Sequence, residues 1–315
     1  MELDRNEIIK FINQSPQRSI FCFPWWLDIV AEDRYSYIAL HNNGQIEAMM
    51  PVVTEKKYGL AVCTMPPFTQ SLGVLLPPMQ GKYVTQLSNE HKLVDGLIDK
   101  LPDCHYYNFR MSPYFENWLP FYWNNFEQTT WYTYVITDLS NLDSIWEGMR
   151  SNIRREIRKA KKQVTVEQKN DPELLQSMVE MTYDRQDKEP SFNYEKLKRI
   201  CNTSIERDQG TIFFARDEQD RVHSGLFLVW DDRTAYYLVG GSDPELRTSG
   251  AASLLMWEAI QFAQDKVKEF NFEGSMIQSI ERFFRAFGGQ QQQYFKIKKF
   301  RSKLLSAAGR FLLKD

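Results

Sequence analysis

The sequence predicts an α/β fold of the α+β kind, built twice from a unit of about 150 residues. Three observations carry that prediction. A block near the end of each half repeats without a gap at a constant spacing of 163 residues. Asn108-Phe109-Arg110-Met111-Ser112 lies over Asn271-Phe272-Glu273-Gly274-Ser275, Phe121 over Phe284, Gln128 over Gln291, and Trp131-Tyr132 over Tyr294-Phe295. An earlier block repeats at a slightly different offset, with Ala39, Ile46 and Met50 resembling Ala215, Val222 and Leu226 around a polar turn. Finally, 315 residues with 43% hydrophobic and 14% aromatic content suffice for two buried cores. Two copies with the same strands in the same order predict a ligand cleft at their seam, because domain junctions favour small-molecule sites.

Residues 2–13 place Leu3, Ile8, Ile9 and Ile12 on one helical face, and 24–32 read as a short helix opened by Pro24, whose fixed φ suits a first turn. Strands over 35–40 and 46–54 flank Asn43-Gly44, a dipeptide that supplies the positive φ values of a tight hairpin. A strand over 60–65 enters a segment with two Pro-Pro pairs, so Thr69, Gln70 and Ser71 are predicted to be exposed and open to a ligand. A helix over 83–100 and strands over 105–110 and 131–137 follow. The second unit opens with one basic helix over 144–162, a strand over 164–167, and a helix from the Asp171-Pro172 cap to residue 187. Strands over 211–216, 222–230 and 234–239 form a meander. Helix 249–266, strand 269–272, helix 278–287 and strand 290–298 complete it. The predicted boundaries are 1–140, 141–298 and a basic amphipathic tail over 299–315.

Lys+Arg of 39 against Asp+Glu of 41 leaves a net charge of −2, which removes any global argument for nucleic acid. Cys22, Cys63, Cys104 and Cys201 are scattered, with no CxxC pair and no His cluster, so neither a disulfide framework nor a metal site is predicted. No run of 18 apolar residues and no basic-then-apolar leader occurs, and the chain is expected in the cytoplasm. Charge is concentrated locally: residues 150–162 hold seven basic side chains and one acid, and the last twenty residues are basic again.

The order of a meander followed by helix, strand, helix and strand resembles the GNAT acyltransferase fold. GNAT enzymes carry a Q/R-x-x-G-x-G/A turn after the fourth strand, which holds the pyrophosphate of coenzyme A. Here that place reads Arg247-Thr248-Ser249-Gly250-Ala251-Ala252. Glycine lets backbone approach an anion, and a helix N-terminus adds N–H donors and partial positive charge. The resemblance therefore implies donor contacts from Arg247, Ser249, Gly250 and Ala251, while a glycine that only caps the helix is the competing reading. GNAT helices after the fifth strand usually end in Tyr-x-x-x-Gly, the Tyr protonating the leaving thiolate. This chain has Phe284-Arg285-Ala286-Phe287-Gly288, without that hydroxyl.

Fem-type peptidoglycan aminoacyltransferases and the broader FemAB-like acyltransferases are two fused GNAT units, and several segments are similar to theirs. The ending FNFEGSMIQSIERFFRAFGGQQQQYFKIKK resembles the family's strand, Gly turn, F-x-x-x-F-G helix and closing strand. The basic run from Met149 to Ala160 resembles its R-x-x-I-R-K-A helix. The segment from Tyr183 to Lys188 with Pro190, and the loop from Pro66 to Gly73, resemble FemAB-like proteins found with polysaccharide genes. The long coiled-coil arm of many cell-wall enzymes is absent.

Acyl transfer to an amine needs a base for the ammonium proton and donors for the developing oxyanion. Glu273 is the expected base, because it follows a strand where the sheet should part and where half-burial would raise a carboxylate's pKa. The alternative is that it only accepts hydrogen bonds from the Gly274-Ser275 turn. Arg110 stands at the same position in the first copy, so chemistry is expected in the second alone. Backbone N–H groups around Val239, Gly240 and Gly241 are the expected oxyanion donors. Arg185, Gln186 and Lys188 are expected as anion or carbonyl binders, or else as a solvated helix end. Arg154, Arg155 and Arg158 lie within about one turn of each other and suit the phosphates of an acyl donor, a nucleotide-linked sugar or tRNA, or form a solvated face. In the tail, Phe300, Leu304, Leu305, Phe311, Leu312 and Leu313 oppose Lys298, Lys299, Arg301, Lys303 and Arg310. That pattern suits peripheral contact with the inner face of an anionic membrane, or docking on its own domain.

The leading expectation is an N-acyltransferase that uses acetyl-coenzyme A or another acyl-coenzyme A as donor, without a metal. Its acceptor would be an amine, such as an amino sugar in cell-surface polysaccharide assembly, with Thr69 and Gln70 helping to bind it. The alternatives are a Fem-type enzyme taking its acyl group from aminoacyl-tRNA, and a silent binding module for glycan precursors.

Overall fold

The computed structural model describes residues 3–190 and 192–302. They divide into one unit that runs up to Trp131 and resumes at Gln293, and a second that comprises Tyr132–Gln292. The first unit contains helices α1 (Arg5–Gln14), α2 (Pro24–Val30), α3 (Tyr83–Asp99) and α4 (Leu119–Trp123), with strands β1 (Tyr35–Asn42), β2 (Gln45–Lys57), β3 (Leu60–Cys63) and β4 (Tyr106–Arg110). Asp4 accepts from the N–H groups of Asn6 and Glu7 and so starts α1, while Pro24 occupies the first turn of α2. Asn43 and Gly44 both have positive φ, as the hairpin between β1 and β2 requires.

Strand β5 (Glu127–Ile136) leads into the second unit. There follow α5 (Leu142–Gly148), α6 (Ser151–Ala160), β6 (Thr165–Gln168), α7 (Pro172–Asp184), α8 (Tyr194–Glu206), β7 (Gly210–Arg216), β8 (Val222–Trp230) and β9 (Thr234–Ser242). Then come α9 (Ala251–Gln264), β10 (Glu269–Asn271), α10 (Gln278–Arg285) and β11 (Gln290–Phe300). Strands β6 to β9 are an antiparallel meander, β9 and β10 run parallel, and β5 closes antiparallel on β10. The core of this unit gathers Ile153, Ile157 and Ala160 of α6 with the apolar face of α9 and with Phe270, Phe272, Phe284 and Phe287.

The repeat is realised with its closing strands exchanged. In the second unit Val135 of β5 faces Asn271 and Ile136 faces Phe270. In the first unit Lys298 of β11 faces Asn108 and Lys299 faces Tyr107. These are the same register at the 163-residue offset, so each copy's last strand completes the other copy's sheet. This corrects the sequence boundaries of 1–140 and 141–298. Residues from Gln293 onward pack with the first unit, where Ile297 is fully buried in its core.

Three further corrections concern elements. The single basic helix over 144–162 is two helices, α5 and α6, because Met149 and Arg150 adopt extended backbone and the Arg150 N–H donates to the Ala286 carbonyl. Helices α4 and α8 had no counterpart in the sequence reading. The loop after β3 is buried: Thr69, Gln70 and Ser71 are each about 4% exposed or less. Among the described residues no helix is long and apolar enough to cross a membrane. The tail residues beyond Ser302, including Lys303, Leu304, Leu305, Arg310, Phe311, Leu312 and Leu313, lie outside the described residues.

Candidate functional site

Strands β9 and β10 pair for only three residues, ending with Asn271 opposite Tyr236. Beyond that point β9 runs on to Ser242 without β10, and an extra residue at Leu238 shifts its register against β8. A bulge bends a strand and re-aims its backbone groups. Here it opens the sheet beside a cavity of about 220 Å³. Ser224 to Leu226 of β8 and Tyr237, Gly240 and Gly241 of β9 form one side of it, while Ala252, Leu255 and Met256 of α9 form another. Two cations, Arg185 after α7 and Arg247 before α9, line it as well.

Glycine is required twice on this stretch of β9. A side chain on Gly241 would overlap the Met178 carbonyl of α7, so the strand and the helix touch backbone to backbone. A Cβ on Gly240 would stand 2.7 Å from the Tyr237 hydroxyl oxygen and 2.9 Å from the Gly225 carbonyl. The tip of Tyr237 therefore occupies the space above Gly240.

The turn before α9 is a short 3₁₀ segment, Arg247–Ser249, followed by Gly250 with φ +84°. Ser249 Oγ accepts from the Ala251 N–H at 3.3 Å. Helix α6 holds this turn in place: Lys159 Nζ donates to the Thr248 carbonyl at 2.5 Å, and Ser253 Oγ donates to Glu156 Oε2 at 2.7 Å. A Cβ on Gly250 would lie 2.7 Å from the Glu156 carbonyl oxygen, so this glycine also serves the packing of α6 on the turn. The result is a helix N-terminus with an arginine in front of it and a cavity beside it, and such a terminus attracts phosphate.

Residues 147–291 match the family of the acetyltransferase (GNAT) domain. Solved structures superpose on all or nearly all of the chain. FemX matches at a TM-score of 0.72 and 12% identity, over 100% of this chain and 99% of that one. The fold is that of tandem GNAT proteins. L-PGS from Bacillus licheniformis matches at 0.56 and 9%, over 100% and 98%. A tandem GNAT protein from the clavulanic acid biosynthesis pathway matches at 0.52 and 9%, over 95% and 97%. No curated protein matches the sequence.

In this tandem GNAT chain the sequence-predicted residues separate into three groups. Gly240, Gly241, Arg185 and Arg247 line the cavity, and Val239, Ser249, Gly250 and Ala251 build the strand and the turn that frame it. Gln186 and Lys188 are exposed beyond α7 and do not line it. On α6, Arg155 and Arg158 are exposed, with Arg158 5.4 Å from the ring centroid of Trp146, while Arg154 is half-buried. Thr69 and Gln70 form the third group. Both are buried in the first unit, where the Trp26 indole N–H donates to Thr69 Oγ1 at 3.2 Å and Thr69 donates to the Pro67 carbonyl. Thr69 is thereby a structural acceptor for a fully buried tryptophan, which corrects its assignment as an exposed ligand contact.

Glu273 is half-buried in the turn that leaves β10, with a left-handed backbone at φ +59°. Its N–H donates to Asn271 Oδ1 at 2.8 Å, and the same oxygen accepts from Thr133 Oγ1 at 2.6 Å. Left-handed backbone costs a non-glycine residue about 1–2 kcal/mol and marks functional turns when the surroundings enforce it. Gly274 follows Glu273, also at positive φ, where any Cβ would overlap Tyr132 and Thr133 of β5.

Sequence reasoning missed Tyr237. Burial pushes its phenol well above the ordinary tyrosine value, and the charge of Glu273 and then Tyr183 add to the rise. Its ring meets Phe284 at 5.7 Å between centroids. Phe284 is itself core, packed on Phe272 and Phe283. The available signal was the strand alternation that turns Tyr237 away from buried Tyr236.

A larger cavity of about 460 Å³ lies by β6 and the start of β8. Most of its cations are committed: Arg216 pairs with Glu167 and Asp220, Arg221 with Asp217, and Lys161 with Glu258. The smaller cavity, at the parting of β9 and β10, is the better candidate for chemistry. Among the described residues no cluster could hold a metal ion.

Proposed function

We propose that the protein is an N-acyltransferase that moves an acyl group from a coenzyme A thioester to an amine, with the chemistry in its second unit. The observation that carries this reading is the parting of β9 from β10 beside a cavity lined by Arg185, Arg247 and the first turn of α9. An acyl group fits the gap between the strands, where the N–H groups of Val239, Gly240 and Gly241 lie close to its carbonyl. The pyrophosphate fits the α9 N-terminus and Arg247. Glu273, at the end of β10, takes the proton of the attacking amine. Similarity to FemAB-like proteins found with polysaccharide genes supports an amino sugar of cell-surface polysaccharide as acceptor. We place the reaction in the cytoplasm, at the inner face of the membrane where the basic tail makes contact.

A second reading takes the acyl group from aminoacyl-tRNA. It is favoured by Arg155 and Arg158, exposed on the helix whose Lys159 holds the donor turn, and by the likeness to FemX. The separating experiment is a calorimetric titration with acetyl-coenzyme A and, separately, with charged tRNA at two salt concentrations. Saturable coenzyme A binding that weakens about 10-fold in Arg247→Ala supports the thioester donor. Salt-sensitive binding of tRNA alone moves the second reading to first place, since several phosphates are then neutralised together. Binding of neither leaves the silent module.

A further inference from the structure

The acyl-transfer site as described holds a base but no acid. When the bond from the amine nitrogen to the acyl carbon forms and the carbon–sulfur bond breaks, the sulfur leaves with the electron pair and needs a proton. Helix α10 presents phenylalanines here: Phe283 lines the cavity and Phe284 is buried in the core. Of the hydroxyls that line the cavity, those of Thr182, Ser224 and Ser242 are already hydrogen-bonded within the fold, and the remaining one belongs to Tyr237 on β9. Three features of that hydroxyl are unusual together. Among the described residues it makes no hydrogen bond, although the residue is half-buried with its ring packed on Phe284. It sits over Gly240, a residue whose missing side chain makes room for it, within the bulged stretch of β9. The carboxylate of Glu273, across the gap between the strands, acts on it electrostatically.

We propose that Tyr237 is the acid of the reaction. The phenol gives its proton to the departing thiolate and recovers one from Glu273, whose carboxylate has taken it from the amine. For an amine that attacks unprotonated the proton count closes: the nitrogen loses one proton, the sulfur gains one, and both side chains return to their starting states. The inference rests on the acyl-transfer reading above and supplies its missing step. It holds equally for an oxygen leaving group, which has the same need of a proton. Burial keeps Tyr237 protonated through the neutral range, as a donor must be. The other titratable or charged groups around it are Tyr183 of α7 and the two cavity cations, Arg185 and Arg247.

The test is Tyr237→Phe, which keeps the ring and removes an oxygen that holds no bond in the fold. Hydroxylamine serves as a small amine acceptor, and released thiol is followed with acetyl-coenzyme A and with phenyl thioacetate, whose thiol leaves without assistance. The expected result is a loss of kcat by about 10²–10³-fold with acetyl-coenzyme A at unchanged KM. With phenyl thioacetate the change in kcat/KM stays below about threefold, because proton transfer to a good leaving group contributes little. A variant with unchanged kcat, or with equal losses on both donors, overturns the role of Tyr237 and leaves acyl transfer standing. A wild-type protein that releases no thiol from either donor overturns the acyl-transfer reading and this one with it.

Discussion

Gly250→Ala is the substitution that tells packing from ligand binding at the donor turn. At φ +84° any L side chain is in the left-handed region, at a cost of about 1–2 kcal/mol. The added methyl also meets backbone, lying 2.7 Å from the Glu156 carbonyl oxygen and 3.2 Å from its carbon. Backbone cannot swing aside as a side chain does, so α6 must shift against α9, a form of overpacking worth about 1–3 kcal/mol. Together these predict roughly 2–5 kcal/mol of destabilisation. In a unit of this size that corresponds to a fall in Tm of about 4–20 °C, read by thermal melting with a circular dichroism or fluorescence probe. A Tm within 2 °C of wild type would refute the reasoning, because it would mean that α6 and the turn are not in contact at this residue. The corollary is practical: loss of donor affinity on mutating Gly250 does not isolate a phosphate contact. Arg247→Ala does, since Arg247 is exposed.

Glu273→Gly should raise Tm by a degree or two while lowering acyl transfer at least about 100-fold, because relief of left-handed strain outweighs glycine's added freedom in the unfolded chain by roughly 0.5–1 kcal/mol. A lower Tm would assign the carboxylate a structural role. Stability should fall as pH rises above about 9, since burial holds Tyr35, Tyr37, Tyr237, Cys63 and Cys201 protonated beyond their ordinary values. The unfolded chain gives up those protons first, so this contribution is complete below pH 9 and lost on the alkaline side. A denaturation midpoint that stays flat from pH 8 to 11 would contradict it. Thr69→Val leaves the buried Trp26 indole N–H without its acceptor and should cost about 1–3 kcal/mol in denaturant titration while sparing acyl transfer. Lost activity with intact stability would return Thr69 to the ligand.

Much of the fold was legible because the signals were local. The Asn43-Gly44 turn, the Asp171 cap and the three-strand meander lie where the sequence put them, within a few residues at their ends. Helix α8 was equally readable, with Asn193 as its cap and Leu197, Ile200, Cys201 and Ser204 at helical spacing on its buried face. The break between α5 and α6 was not, since it depends on a hydrogen bond from Arg150 to Ala286, over a hundred residues away. The same holds for the burial of Thr69, which prolines on either side advertise as loop and a distant tryptophan turns into core. Of the residues that line the cavity, Arg247 was named through the family pattern and Gly240 as an expected oxyanion donor. Tyr237 was not named, because what singles it out is the place of its hydroxyl over Gly240, which no motif records.

The exchanged closing strands bear on how the protein is made. Strand β4 waits for β11, and about 160 residues of the second unit must be synthesised between them. At about 5–20 residues per second the nascent first unit holds one bare sheet edge for roughly 10–30 s, long enough for a chaperone or a neighbouring chain to find it. The second unit meets no such delay, because β5 is on hand before β10 emerges. Folding on the ribosome should therefore finish with the half that was translated first.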